Sequence, residues 1–129
     1  MWLLTTFGFF SIVEKPADRG TGFVTVRSRV RGDIEALRAR YLPEMTDIEG
    51  TPERDYAWRG RVTREDLGLG LARIAKEIDY ANFETEVAQH MGYARELVYH
   101  DVYETLASLQ EHPPARLSRA TDTDTGQGG

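Results

Sequence analysis

Hydrophobic residues alternate with polar ones along the first part of the chain, as they do in strands. Residues 2–13 are mainly Leu, Thr, Phe, Ile and Val, the residue types that strands favour. A loop rich in proline and glycine follows, and residues 23–30 then alternate, with Val24, Val26 and Val30 on one side. The pattern predicts two strands at the start of the fold.

Helical spacing replaces the alternation after the second strand. Ile34, Leu37 and Tyr41 recur at helical intervals. Asp33 precedes them and is a residue type that often caps a helix, so we expect its carboxylate to accept hydrogen bonds from the first-turn amides. Pro43 ends the pattern because proline cannot continue a helix. We predict one helix between these limits.

A third alternating segment and a long helical region complete the pattern. Residues 55–62 alternate, with Tyr56, Trp58 and Val62 on one side, and helical spacing then runs to about residue 110 with a break near Gly92. The predicted fold is therefore α+β: a small antiparallel or mixed sheet of three to four strands, with helices packed on one face, in the order β-β-α-β-α-α.

Domain organisation follows from where the periodicity ends. Residues 1–110 suit a single α+β domain in length. Residues 111–129 have no apolar period and many turn-forming residues, so we expect a disordered C-terminal tail.

The first predicted strand is apolar on both sides, which is unusual for a strand next to arginine-bearing neighbours. If residues 2–13 form one continuous strand, one face carries Trp2, Leu4, Phe10 and Ile12, and the other carries Leu3, Phe7, Phe9 and Val13. We assign the face with Phe10, together with the valines and the tyrosine and tryptophan of the third strand, to a core covered by helices. The other face is then open.

The open face would combine aromatic rings with guanidinium groups. The candidate ligand-binding or interface residues are Phe7, Phe9, Phe23, Arg27, Arg29, Arg59 and Arg61. Three exposed phenylalanines of about 150–250 Å² each would approach or exceed the largest apolar patch of a typical monomer, about 300–600 Å². We expect a second copy of the protein, a stacking ligand, or a loop together with the arginine stems to cover them.

These residues favour two hypotheses of different kinds. The first is a small cytoplasmic interaction protein that self-associates through its sheet face into a homo-oligomer. The alternative is a binding module for a small anionic or nucleotide-like ligand, since guanidinium groups grip phosphate bidentately and rings stack on bases.

Composition and charge exclude several other classes. The chain contains no cysteine, which rules out disulfides, thiol catalysis and cysteine zinc sites and fits a cytoplasmic location. The net charge of −5 makes nucleic acid an unfavourable partner. The apolar run over residues 1–13 is shorter than the ~20 residues of a spanning helix, so no membrane partner is expected.

Candidate catalytic chemistry is sparse. Glu86 with His90, and Glu96 with His100, lie four residues apart, as on one helix face, and we interpret them as solvated helix surface. We find no phosphate loop, nucleophile elbow or metalloprotease motif. We therefore expect no catalytic residue, metal site or cofactor, although an enzyme built on a carboxylate and a tyrosine remains open.

Five segments together resemble a family of small bacterial proteins, especially of actinobacteria, and of their phages. They are MWLLTTFGFFSIVEKP, VRSRVRGDIEALRARYLP, RDYAWRGRV, IDYANFETEVAQH and VYHDVYETLASLQ. The resemblance covers residues 1 to about 110. It implies no activity, so no functional residue is carried over from it. Where members of that family have a lysine and a proline, this chain has Glu84 and Ala57.

Overall fold

The computed structural model describes residues 1–111. Of the tail predicted over residues 111–129, only Glu111 is described, and it is the last residue of a helix. The rest of the predicted tail lies outside the described residues. The chain divides into two compact units, Met1–Ala81 and a second that begins at Asn82. The single domain predicted over residues 1–110 stays a prediction.

Each unit has its own set of elements. The first unit holds β1 (Trp2–Thr5), β2 (Gly8–Val13), a 3-10 helix (Pro16–Asp18), β3 (Phe23–Ser28), α1 (Arg31–Arg40), β4 (Glu49–Gly50), β5 (Trp58–Thr63) and α2 (Arg64–Lys76). The second holds α3 (Phe83–Met91) and α4 (Tyr93–Glu111).

The predicted α+β class is confirmed, with one correction to the sheet. The described residues form a five-stranded antiparallel sheet in the order β1-β2-β3-β5-β4, rather than one of three to four strands. The additional strands arise because residues 2–13 form a hairpin instead of one continuous strand, and because the short β4 pairs with β5.

The hairpin turn consists of Thr6 and Phe7, and it resets which residues share a face. Thr5 pairs with Gly8 and Leu3 pairs with Phe10 across the two strands. Directly opposed residues lie on the same face of a sheet. Leu3 therefore shares a face with Phe10, and the prediction that Trp2 and Leu4 share that face is wrong.

Helix α1 is tied to β2 through Asp33. Its carboxylate Oδ2 accepts a hydrogen bond from the backbone N–H of Phe9 at 3.0 Å. An added Cβ on Gly8 would lie 2.7 Å from the Cβ of Asp33, so this close approach requires glycine. The helix itself begins at Arg31 with Val30 as its N-cap residue, which corrects the prediction that Asp33 caps it.

The core lies on the face of the sheet that α1 and α2 cover. It includes Phe10, Ile12, Val24, Val26 and Val62 from the strands, Ile34 and Leu37 from α1, and Tyr41, Leu42 and Met45 after α1. Leu67 and Ile74 of α2 pack against this cluster. The predicted core positions Phe10, Ile12, Val24 and Val26 are thus confirmed. The prediction for Val30 is wrong, because β3 ends at Ser28 and Val30, the N-cap residue of α1, is 46% exposed.

The second unit is a helical hairpin with a small apolar contact. The Asn82 side chain caps α3 by accepting from the backbone N–H of Thr85. The rings of Phe83 and Tyr99 stack with centroids 5.7 Å apart, and Val87 is fully buried. Within residues 1–111, no helix is both long and apolar enough to cross a bilayer.

We expect Phe10→Ala and Phe9→Ala to differ sharply in their effect on stability. Phe10 is 0% exposed in the core, so its truncation should lower the free energy of unfolding by about 3–5 kcal/mol. Phe9 is half-buried on the opposite face, so Phe9→Ala should cost clearly less. Urea denaturation of both variants as monomers measures this, and a larger loss for Phe9→Ala would contradict the face assignment.

Candidate functional site

A row of polar and charged residues crosses the face of the sheet opposite α1. Ser11 of β2 lies opposite Arg27 of β3, Arg27 lies opposite Arg59 of β5, and Arg59 lies opposite Glu49 of β4. Two like charges thus occupy directly opposed positions, an arrangement that destabilises a sheet by up to about 1 kcal/mol unless it is compensated. We call this face the arginine face.

Tyr56 supports two of the arginines. The guanidinium carbons of Arg27 and Arg29 each lie 4.5 Å from its ring centroid. Arg27 Nη2 also donates to Ser11 Oγ at 2.6 Å, and Arg29 Nη1 donates to the backbone oxygen of Asp55 at 2.8 Å. The stacking and the hydrogen bonds together hold both guanidinium groups in place.

The position of Tyr56 corrects a prediction. The alternation over residues 55–62 placed it on the helix-covered face, but β5 begins only at Trp58, so Tyr56 belongs to the preceding loop and alternation does not apply to it. Its ring is buried under the two arginines instead.

Arg59 is held by the loop between β4 and β5. Its Nη1 donates to Thr51 Oγ1 at 3.0 Å and its Nη2 donates to the backbone oxygen of Tyr56 at 3.1 Å. In the part of the chain that the structure describes, the hydrogen-bond partners of Arg27, Arg29 and Arg59 are hydroxyl and carbonyl oxygens rather than carboxylates. These hydrogen bonds are therefore not ion pairs, although Glu49 lies opposite Arg59 across the strands.

Arg61 differs because a buried carboxylate meets it. Its Nε donates to Asp18 Oδ1 at 2.8 Å, and its guanidinium carbon lies 4.8 Å from the ring centroid of Phe23. Asp18 Oδ2 also accepts from Thr25 Oγ1 at 2.7 Å and from the backbone N–H of Lys15 at 2.9 Å. This network joins the 3-10 helix to β3 and β5.

The pKa of Asp18 is lowered from its ordinary value by its partners. Burial acts to raise the pKa, but the hydrogen bonds from Thr25, Lys15 and Arg61 and the positive charge of Arg61 outweigh it. The carboxylate is therefore ionised at neutral pH, and it neutralises Arg61.

A pocket of about 230 Å³ lies over this network. Its lining includes the basic residues Lys15, Arg27, Arg54, Arg59 and Arg61, and the acidic residues Asp18, Asp47, Glu49 and Asp55. Asp18 pairs with Arg61, and Asp47 pairs with Arg38 outside the pocket. The basic side of the pocket is thus centred on Arg27 and Arg59.

Most of the predicted site residues lie on the arginine face. Phe23, Arg27, Arg59 and Arg61 lie there within β3 and β5, and Phe9 lies nearby with its ring centroid 5.6 Å from that of Trp2. Arg29 follows the end of β3 and reaches this face by stacking on Tyr56. Phe7 does not belong to this face. It lies in the hairpin turn, where alternation is interrupted, and its ring stacks on Tyr41 at 5.2 Å beside Phe10.

Three residues of the site were missed by the sequence reasoning: Ser11, Asp18 and Tyr56. Ser11 carries a signal, because it is a polar residue inside an apolar run. Asp18 lies in the 3-10 helix, 43 residues from Arg61, and no local pattern connects the two. Tyr56 shows an alternating pattern that indicates the wrong face.

The glutamate and histidine pairs of the second unit are surface contacts. Glu86 Oε2 lies 2.9 Å from His90 Nε2, as the spacing predicts. His100 meets Glu84 of α3 at 2.9 Å and Glu104 at 3.3 Å. The hydrogen bond to Glu84 is the main cause of a raised pKa at His100. Among residues 1–111, no group of three or more histidine, aspartate or glutamate side chains is placed so that it could hold a metal ion.

We expect Asp18→Asn to reduce the free energy of unfolding by about 1–3 kcal/mol at pH 7, because it leaves buried donors incompletely satisfied. The pKa of Asp18 is lowered in the folded state, so its contribution is present above the unfolded pKa of about 3.9 and is lost as pH falls through the folded pKa. The difference in free energy of unfolding between wild type and Asp18→Asn should therefore become smaller below pH 4. Urea denaturation from pH 7 to 3 measures it.

Asp47→Asn is the matched control for this experiment. Its side chain is 98% exposed and pairs with Arg38 at the surface, where an ion pair contributes about 0–1 kcal/mol. Two results would contradict the role of the buried carboxylate. The loss in free energy of unfolding caused by Asp18→Asn could stay constant with pH, or it could be no larger than the loss caused by Asp47→Asn.

No family model, curated protein or solved structure matches the chain.

Proposed function

We propose that this protein is a binding module for a small anionic ligand, held in the pocket on the arginine face. One observation carries the proposal: Arg27 and Arg59 lie directly opposite each other on adjacent strands, and their described polar partners are not carboxylates. An oxyanion between the two guanidinium groups would remove their repulsion and accept charge-assisted hydrogen bonds from both.

Unmet hydrogen-bonding capacity supports the same proposal. Within residues 1–111, Arg27 Nε is buried and has no hydrogen-bond partner. Buried donors in native proteins are almost always paired, and leaving one unpaired costs about 1–3 kcal/mol. An anion in the pocket would supply the missing acceptor after a small shift of the guanidinium group.

The arginines are also held ready for binding. Tyr56 stacks against Arg27, and the backbone oxygen of Tyr56 accepts from Arg59. Fixing a flexible arginine costs side-chain entropy, typically about 0.5–1.5 kcal/mol for each side chain ordered on binding. Here the fold orders these side chains beforehand, which favours binding of even a small anion.

We expect Arg27→Gln and Arg59→Gln each to weaken binding of inorganic phosphate by about tenfold or more, since each removes charged hydrogen bonds of about 1.5–3 kcal/mol. Isothermal titration at low ionic strength measures the affinity. Wild-type affinity should fall as salt rises because the attraction is electrostatic.

Arg64→Gln serves as the matched control. Arg64 is an exposed arginine at the start of α2 that pairs with Glu14 and lies outside the pocket lining. The Arg64→Gln substitution changes the net charge by the same amount as Arg27→Gln or Arg59→Gln and should leave the affinity for phosphate nearly unchanged. An equal loss in all three variants would show general charge attraction and count against a defined site.

A second candidate is the self-associating interaction protein, with a homo-oligomer formed through the sheet. The observation that favours it is Trp2, which is 57% exposed on the edge strand β1 and packs edge-on against Phe9. The case is narrower than the sequence suggested, because Phe7 packs on the other side of the sheet. Both candidates fit the cytoplasmic location expected from the sequence.

We expect Trp2→Ser to shift any self-association toward the monomer, because it removes most of the exposed ring surface of this edge. Size-exclusion chromatography with light scattering at micromolar concentration measures the mass. Leu69→Ser is the control, since Leu69 is 69% exposed on α2, away from the sheet. A wild-type protein that is monomeric throughout would exclude this candidate and leave the anion site unaffected.

A further inference from the structure

We infer that the ligand of this pocket is a small anion that also carries hydroxyl or ammonium groups, of the kind found in a sugar phosphate, and that it is not a nucleotide. The inference rests on the proposed anion site and adds the chemical class of its occupant. It differs from the expectation that the aromatic residues of this face stack on a base.

The ring that lines the pocket is already in use. The guanidinium carbons of Arg27 and Arg29 each lie 4.5 Å from the ring centroid of Tyr56, whereas Phe9 and Phe23 lie outside the pocket lining. Base recognition by stacking needs a free ring face. Since guanidinium groups occupy the ring that lines the pocket, a nucleobase would gain little there that a plain sugar would not.

The charges around the pocket are mixed. The pocket is lined by the cations Lys15, Arg27, Arg54 and Arg59 and by the carboxylates Glu49 and Asp55, and Glu49 lies opposite Arg59 on the neighbouring strand. The cations attract an anionic group, and the carboxylates accept hydrogen bonds from hydroxyl and ammonium groups. A ligand with one anionic end and one hydrogen-bond-donating end therefore matches both the cations and the carboxylates of the pocket.

The size of the pocket agrees with this class. Its volume of about 230 Å³ is below the ~300–1,000 Å³ of pockets that hold drug-sized ligands. One phosphate with a short polyol or amino acid body fills such a volume. A base attached to the sugar would extend outside the lining residues.

Ribose 5-phosphate and AMP form a matched ligand pair, because AMP is ribose 5-phosphate with adenine added. In isothermal titration with the full chain, we expect ribose 5-phosphate to bind at least tenfold more tightly than inorganic phosphate. AMP should bind no more tightly than ribose 5-phosphate, because the added adenine finds no free ring to stack on in the pocket.

Glu49→Ala separately tests whether a pocket carboxylate accepts hydrogen bonds from the hydroxyl groups of the ligand. It should reduce the affinity for ribose 5-phosphate about five- to tenfold and leave inorganic phosphate binding unchanged or slightly tighter. Glu44→Ala, an exposed glutamate outside the pocket lining, should change neither.

The possible outcomes distinguish the inferred ligand class from the proposed anion site on which it rests. If AMP binds tenfold or more tightly than ribose 5-phosphate, or if ribose 5-phosphate binds no better than phosphate, the inferred class is overturned while the anion site stands. If no phosphate compound binds at millimolar concentration, both the class and the site are overturned. A preference for ribose 5-phosphate that Glu49→Ala abolishes supports both.

Discussion

The two-residue turn at Thr6 and Phe7 is the constraint on which the two faces of the sheet depend. A shift of one residue in strand pairing moves every side chain of a strand to the opposite face. With Thr5 paired to Gly8, Phe10 enters the core beside Leu3, while Phe9 joins Trp2 on the arginine face. The close contact between Gly8 and Asp33 then fixes β2 against α1 in this register.

Alternation in the sequence predicted the faces within β2, β3 and β5. It was wrong for Trp2 and Leu4, which the hairpin turn separates from β2, and for residues outside the strands. The valines of β3 and the arginines of β3 and β5 take the sides that their spacing predicts. Phe7 and Tyr56 lie in a turn and a loop, where alternation has no physical basis. Thr6 and Phe7 are not a typical two-residue turn pair such as Asn-Gly, so nothing local indicated the hairpin.

The candidate site could be predicted only in part, because its contacts join distant parts of the chain. The spacing of the arginines within each strand is a local property and is visible in the sequence. Their partners are not local: Ser11 lies 16 residues from Arg27, and Asp18 lies 43 residues from Arg61. Which arginine meets a carboxylate is decided by the packing of the 3-10 helix on the sheet, which no periodicity encodes.

Two adjacent cross-strand pairs on this face show how one residue type acquires two roles. In the pair of Thr25 and Arg61, the buried carboxylate of Asp18 satisfies both side chains, so the pair is part of the framework. In the pair of Arg27 and Arg59, rings and neutral oxygens orient the guanidinium groups without cancelling their charge. Tyr56, which the alternation placed in the core, therefore serves to position the cations. The pair of Thr25 and Arg61 gives rigidity, and the pair of Arg27 and Arg59 beside it is the part of the face on which the proposed anion site depends.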